Sequence, residues 1–423
     1  MRHRRRLRGW PALLTASTIV ATVGAARAAT VTVEECVRLA LGRAPSAQAA
    51  VADVAAASAR VRAARAAYWP RLLAQAQYGH SEGYDVTVTN GGVTALGVGI
   101  EAPLLDGGLR DAELDAARAR LRSATAVEQQ RRADVAFAVR SAYFAALAER
   151  DDHAAHADTV RTLTDYRALL ERLAGLGLVP RSDVPRAELA LETERSAERA
   201  DAAALDAGMQ ELSELTGTPL DESALTEPEP LPFMPAPEDV IESTPAIADA
   251  RATADAAQRD ADAVRSEGRA HLALNADGGF LGVNPGPTFR DNGGGEFLFG
   301  FSLPLFDGGA IAARTAAAEA VRASAEANVD EVRQTIVIAL AHARSDAQRS
   351  QADATAWQRQ LPAAAEAFLL MRARYAGGGS VRLLDVLDAL NQSVGARLAL
   401  TSARLGLRVA VATQDHILGR VAQ

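Results

Sequence analysis

Four short stretches of this chain alternate apolar and polar side chains with the period of two that belongs to a β-strand. From Arg71 to Tyr78, residues Leu72, Ala74, Ala76 and Tyr78 fall on one face and Arg71, Leu73, Gln75 and Gln77 on the other. A returning stretch sets Leu96, Val98, Ile100, Ala102 and Leu104 against Gly97, Gly99 and Glu101. The second half repeats the pair, with Leu272, Leu274 and Ala276 opposite His271, Asn275 and Asp277. Its return places Phe297, Phe299, Phe301, Leu303 and Leu305 opposite Glu296, Gly300 and Ser302. The pattern predicts β-hairpins over about 71–104 and about 271–305. Strands of about ten residues with one apolar face match membrane strands, apolar toward lipid and polar toward a lumen. The loops Ser81–Gly92 and Gly282–Gly295, rich in glycine, asparagine and proline, read as hairpin connections facing out of the cell.

Everywhere else the pattern is helical. A helix is expected near Glu34–Tyr68 and again near Asp239–Gly268, ahead of each hairpin. After each hairpin comes a very long helix. From Gly108 to Gly175 there is no proline, and from Gly309 to Gly377 only Pro362, which is expected to kink or break the second. Sixty-odd residues at 1.5 Å rise reach roughly 100 Å. Leu163, Tyr166, Leu170 and Leu173 recur at helical spacing, while Leu387, Leu398 and Val409 are eleven residues apart. Mixed seven- and eleven-residue spacings imply nearly straight helices laid side by side.

The order of elements repeats because the sequence does. Pro103-Leu104-Leu105-Asp106-Gly107-Gly108 returns as Pro304-Leu305-Phe306-Asp307-Gly308-Gly309. The run from Gly177 through Asp183-Val184 to Ala187 returns from Gly379 through Asp385-Val386 to Ala389. A duplication with a period of about 200 residues explains both. The expected organisation is a first structural repeat over 29–216, a linker over 217–238 with six prolines, and a second repeat over 239–420.

Composition narrows the picture. Hydrophobic residues are 48% but aromatics only 4%, and the alanine that makes up the difference favours closely packed helices over a deep aromatic core. Residues 1–28 read as a secretory signal peptide. Arg2, Arg4, Arg5, Arg6 and Arg8 precede an apolar stretch from Trp10 to Gly24, and Ala26-Arg27-Ala28 offers a cleavage site. Taking the six arginines of that segment from the formal charge of -8 leaves -14, which disfavours nucleic acid as a partner. The single cysteine, Cys36, excludes an intrachain disulfide and reads as a small buried residue at a helix start. No later stretch is apolar for 18 residues, so entry into a membrane is expected through strands.

Within hydrocarbon every peptide group must be paired, so a membrane sheet has to close on itself. The smallest common barrels have eight strands and this chain offers four, so copies of the chain must share one barrel.

The duplicated layout, the Pro-Leu-x-Asp-Gly-Gly junctions and the glycine-to-Asp-Val turns resemble the TolC-like outer-membrane efflux protein family over about residues 30–420. The resemblance implies a mainly α fold with a transmembrane β-barrel. In it, long antiparallel helices form an α-helical barrel across the periplasm, and a trimer completes a 12-stranded barrel. It implies an outer-membrane channel of a tripartite efflux or type I secretion system, partnered by a periplasmic adaptor and an inner-membrane transporter. Gly177, Leu178, Val179 and Asp183 resemble one of the helix–turn–helix tips that meet the adaptor, and Gly379, Ser380 and Val381 the other. Asp385 and Asp388 align with acids that ring the periplasmic entrance, and Tyr375 and Arg382 are approximate counterparts of the family's gate contacts.

The alternative is a periplasmic coiled-coil scaffold or surface adhesin without transport, which would have no need of a lipid-facing band. Nothing in the sequence suggests an enzyme or a cofactor site. His153 and His156, three apart, lack a third ligand for a metal. The glycine pairs lack the lysine of a phosphate loop.

Overall fold

The computed structural model describes residues 31–80, 92–228, 233, 237–283, 293–377 and 380–421. The signal segment with its expected cleavage at Ala28, residues 81–91 and 284–292 of the hairpin loops, part of the linker, and Gly379 lie outside the described residues.

The first expected helix is two. Helix α1 (Val33–Arg43) starts on Thr32, whose hydroxyl accepts from the Glu35 amide at 3.3 Å. Ala44 is extended, as the residue before a proline must be, and α2 (Pro45–Ala66) restarts from Pro45. Strands β1 (Arg71–His80) and β2 (Gly92–Leu105) follow, then α3 (Leu109–Gly175) and α4 (Asp183–Thr216). The second half runs through α5 (Glu238–Ile241), α6 (Pro245–Ser266), β3 (His271–Val283), β4 (Gly293–Ser302), α7 (Ala310–Ala376) and α8 (Leu383–Ile417).

The strands form one antiparallel sheet in the order β1-β2-β3-β4, so the two hairpins join through β2 and β3. Gly97 lies opposite Gly279 at the centre of that join. A Cβ on Gly279 would stand 2.3 Å from the Leu96 carbonyl oxygen and 2.5 Å from the Gly97 Cα, so a side chain there would push the hairpins apart. Strand β4 stops at Ser302, three residues short of the alternation that ends at Leu305. Strand β2 runs on to Leu105 because β3 accompanies it, whereas β4 has no strand on its outer side.

Helices α3 and α7 carry 67 residues each, roughly 100 Å. Helix α7 is continuous through Pro362, so of the expected kink or break the break does not occur. Near the sheet the helices pack in the sequence α2, α3, α6, α7; farther away α4 packs on α3 and α8 on α7, with α3 and α8 joining the two pairs. Two apolar clusters hold this frame. In the middle, Val139, Tyr143 and Leu147 of α3 meet Cys36 and Val37 of α1 and Leu205 and Leu212 of α4. At the far end, Leu163, Tyr166 and Leu170 meet Leu191 of α4, Phe368 and Tyr375 of α7, and Leu383 and Val386 of α8. Cys36 is fully buried, and that burial pushes its thiol up to about 11.

Replacing Gly279 with valine is expected to separate the hairpins and abolish folded protein, read as loss of strand signal by circular dichroism in detergent. Gly300→Ala, where a Cβ meets nothing within 4 Å, should leave the spectrum unchanged.

Candidate functional site

The sheet has two chemically distinct faces. Cross-strand register places Gln75 against Gly97, Glu101 against Asn275, and Asp277 between Gly99 and Glu296. These polar groups line a trough of about 1110 Å³ on one face. The other face carries Leu72, Tyr78, Val98, Ile100, Phe297, Phe299 and Phe301, all exposed. Seven large apolar side chains on one open face make a patch that monomeric soluble proteins rarely show.

Each hairpin passes into its long helix through the Asp-Gly-Gly junction, and the glycines explain the motif. Gly107, Gly108, Gly308 and Gly309 all have φ between +65° and +94°, the left-handed region that costs other residues 1–2 kcal/mol. The aspartate then satisfies the first helical amides. Asp106 accepts from the Gly108 and Arg110 amides at 3.1 Å each and from the Arg110 Nε at 2.5 Å. Asp307 accepts from the Gly309 and Ile311 amides at 2.9 and 2.5 Å. Partial burial opposes ionisation of Asp106, but the Arg110 amide and guanidinium outweigh it and hold the carboxyl below its usual range. The Ile311 and Gly309 amides do the same for Asp307. Pro103 carries the carbonyl to which Arg110 donates at 3.0 Å, and Pro304 precedes the second junction.

The far end of the helices is the second region of interest. Gly177 turns the chain at φ +72°, and the Leu178 amide closes the turn on the Leu173 carbonyl at 2.9 Å. Leu176 and Leu178 project there with 73% and 67% of their surface exposed, while Val179 packs against the end cluster. Asp183 does not join them at the surface. It is 5% exposed and accepts from the Tyr375 hydroxyl at 2.6 Å, with an Arg186 nitrogen 3.8 Å away. The bond ties the α3–α4 hairpin to α7. Tyr166 stands edge-on to Tyr375, ring centroids 6.2 Å apart. Burial first, then the Asp183 carboxylate, hold the Tyr375 phenol far above its usual value, and burial pushes Tyr166 up to about 12. Both phenols therefore stay protonated at neutral pH.

At the second turn Ser380 is exposed and Val381 half-buried against the same cluster. Asp385 accepts from the Arg382 amide at 2.9 Å and from its guanidinium at 3.1 Å, so the aspartate side chain caps the start of α8. The Arg382 side chain and amide hold the Asp385 carboxyl below its usual range. Asp388 is exposed one turn along. Of the two histidines, His156 approaches Glu194 at 2.7 Å and Asp201 at 3.7 Å, and no metal-holding cluster occurs among the described residues. The bond between Asp183 and Tyr375 joins positions 192 residues apart, so no local spacing could have disclosed it.

Comparison with known proteins follows the same lines. The sequence pattern described as "Outer membrane efflux protein" matches residues 36–218 and again 236–420. A search of curated proteins gave no match. Among solved structures, the chain is similar to the outer membrane protein VceC of Vibrio cholerae, at 21% identity and TM-score 0.80, over 92% of this chain and 97% of that one. It is similar to the open state of the MtrE outer membrane channel of Neisseria gonorrhoeae, at 21% identity and TM-score 0.79, over 98% of both. A membrane protein from Pseudomonas aeruginosa matches at 23% identity and TM-score 0.82, over 91% and 93%. At these identities the likeness shows the fold.

Tyr375→Phe is expected to leave the buried Asp183 carboxylate short of its donor and to cost about 1–3 kcal/mol. The matched control is Tyr166→Phe, because the Tyr166 hydroxyl has no hydrogen-bond partner among the described residues and its loss should be neutral or stabilising. Denaturation in detergent separates the two; equal losses would deny the bond its weight.

Proposed function

The chain belongs to the outer membrane efflux protein family, and from that premise we propose that three copies close a 12-stranded barrel and form one passive conduit. Its role as an outer-membrane efflux channel follows from the family, and channels of this kind are not enzymes. The observation that carries the finer reading is the sheet: four strands, one apolar face, one polar face, and two outer edges on β1 and β4. The long helices then extend the conduit through the periplasm. Export of the chain by a signal peptide removed near Ala28 fits that placement.

Leu176, Leu178 and the two turns around Gly177 and Ser380 supply the surface for a periplasmic adaptor. Through that adaptor the conduit works with an inner-membrane transporter, in a tripartite efflux or type I secretion assembly. The Tyr375–Asp183 bond holds the two hairpins together in a narrowed entrance. Asp385 and Asp388, repeated by three-fold symmetry, ring that entrance and draw cations to it. Because Asp385 is already paired with Arg382, Asp388 bears the larger share of the uncompensated charge.

Purified in detergent, the protein should migrate as a heat-modifiable oligomer and give single-channel conductance in planar bilayers. A water-soluble monomer without conductance would overturn the conduit. Asp385→Ala combined with Asp388→Ala should raise conductance and weaken block by multivalent cations, with Asp388→Ala alone giving most of the change. Unaltered block in the double variant would remove the acidic ring.

A further inference from the structure

The seam between α3 and α4 changes character midway. Its covered positions follow alternating steps of three and four residues, the spacing of paired helices. On α3 those steps lead from Leu163 through Thr159, His156 and Asp152 to Glu149, and on α4 from Leu191 through Glu194, Glu198 and Asp201 to Leu205. The middle apolar cluster ends at Leu147 and Leu205, and the far one begins at Leu163 and Leu191. Between them five partly buried carboxylates meet the partly buried imidazole of His156, with His153 alongside. His156 approaches Glu194 at 2.7 Å and Asp201 at 3.7 Å. Asp152 is faced by Glu149 and His156 on its own helix, by Asp201 on α4 and by the Thr401 hydroxyl of α8. Oδ1 of Asp152 and Oδ2 of Asp201 are shut off from solvent and have no hydrogen-bond partner among the described residues. The neighbouring cations are engaged elsewhere: Arg150 with the Leu225 carbonyl and Asp151, Arg397 of α8 with Asp158, while Arg404 of α8 is exposed.

Resting on the reading of the far end as the conduit's entrance, we propose that this layer is an acid-sensitive latch. A proton taken up among Asp152, Glu149 and Asp201 clamps α4 to α3, and its loss at neutral pH frees α4 to shift. Buried acceptors without donors repel each other when ionised, whereas one proton turns an acceptor into a donor. Burial first, opposed by the Thr401 hydrogen bond and joined by Asp201 and Glu149, pushes the Asp152 carboxyl up to about 6. Burial and then Asp201 raise Glu149 as well. A carboxyl held above its unfolded value binds a proton more readily in the folded chain, so the seam gains stability as pH falls from about 6 to about 4. A proton on His156 also lowers the negative charge of the layer and acts in the same direction. The second repeat shows that packing does not demand such a layer. From Ala343 to Leu361 the covered positions of α7, which packs on α8, are Ala343, Ala347, Ser350, Ala354, Trp357 and Leu361, none of them titratable.

The test is amide hydrogen exchange of the full chain in detergent, comparing wild type with Asp152→Asn at one pH at a time so that intrinsic rates cancel. At about pH 7.5 the variant should exchange on the order of tenfold more slowly over 149–156 and 194–201. The interval from about 4 to about 6 allows at most about a hundredfold, and partial exposure reduces it. At about pH 5, where the wild-type carboxyl is itself protonated, the two should coincide. Glu149→Gln should repeat the effect more weakly. Asp158→Asn, which gives up the pair with Arg397, should exchange faster at both pH values. Asp152→Asn exchanging as fast as wild type at the higher pH, or failing to fold, would overturn the latch. So would an Asp158→Asn variant that gains as much protection, because any lost carboxylate would then tighten the helices. The readout needs no conductance. A conducting channel without the pH-dependent difference overturns the latch alone, whereas a non-conducting chain that shows it overturns the conduit and keeps the proton-dependent seam.

Discussion

A peptide group left unpaired in hydrocarbon costs several kcal/mol, and this single penalty organises the molecule. Each edge strand of the sheet presents a row of such groups on its outer side. Four strands cannot bend round to meet one another, because a barrel that small has no room for its own inward side chains. The sheet is therefore one segment of a wall. The glycine pair at 97 and 279 serves the same end, since it lets two hairpins from distant parts of the chain approach closely enough to share a full ladder.

The wall is useful only if it is joined to something that prolongs it, and the Asp-Gly-Gly junction performs that conversion. A strand rises about 3.3 Å per residue with alternating faces, and a helix rises 1.5 Å with a different set of amides to satisfy. Two successive left-handed residues turn the backbone, and one carboxylate returns to bond the amides that the new helix leaves open. Because the motif occurs twice, both long helices leave the sheet by the same local geometry.

Much of this was legible in the chain because it is governed by local rules. Period-two alternation places the lipid face and the duplicated junctions locate the strand-to-helix turns, whereas the restart of the helix at Pro45 was missed within one expected helix. What was not legible depends on partners elsewhere. Asp183 sits in a turn motif that suggests an exposed contact, but Tyr375 on another helix draws it inward. Asp385 stands where an acid at the third helical position caps its own helix, and the Arg382 amide uses it that way. The end of β4 departs from its alternation because strand length is set by neighbours as much as by sequence. Pro362 fails to break α7, although proline removes one helical amide, because the remaining turns on either side keep their own bonds.

The two regions are mechanically connected yet energetically separable. Helices α3 and α7 run without interruption from the junctions to the far end, so they are anchored in the sheet and also carry Tyr166 and Tyr375 in the terminal cluster. Helices α4 and α8 are about half as long and pack chiefly on α3 and α7. Any rearrangement at the far end that leaves the sheet undisturbed must therefore be taken up by α4 and α8 shifting against their longer partners. The bonds that resist such a shift include Tyr375 to Asp183, Arg397 to Asp158, His156 to Glu194, Arg167 to Glu188, Arg140 to Asp415 and His416 to Asp134, with the apolar contacts of Leu191 and Val386. A sheet held by a backbone hydrogen-bond ladder resists distortion everywhere along it, whereas helices held to one another by side chains can shift by exchanging those contacts. The same chain thus joins a sheet held by its backbone to a far end held by its side chains.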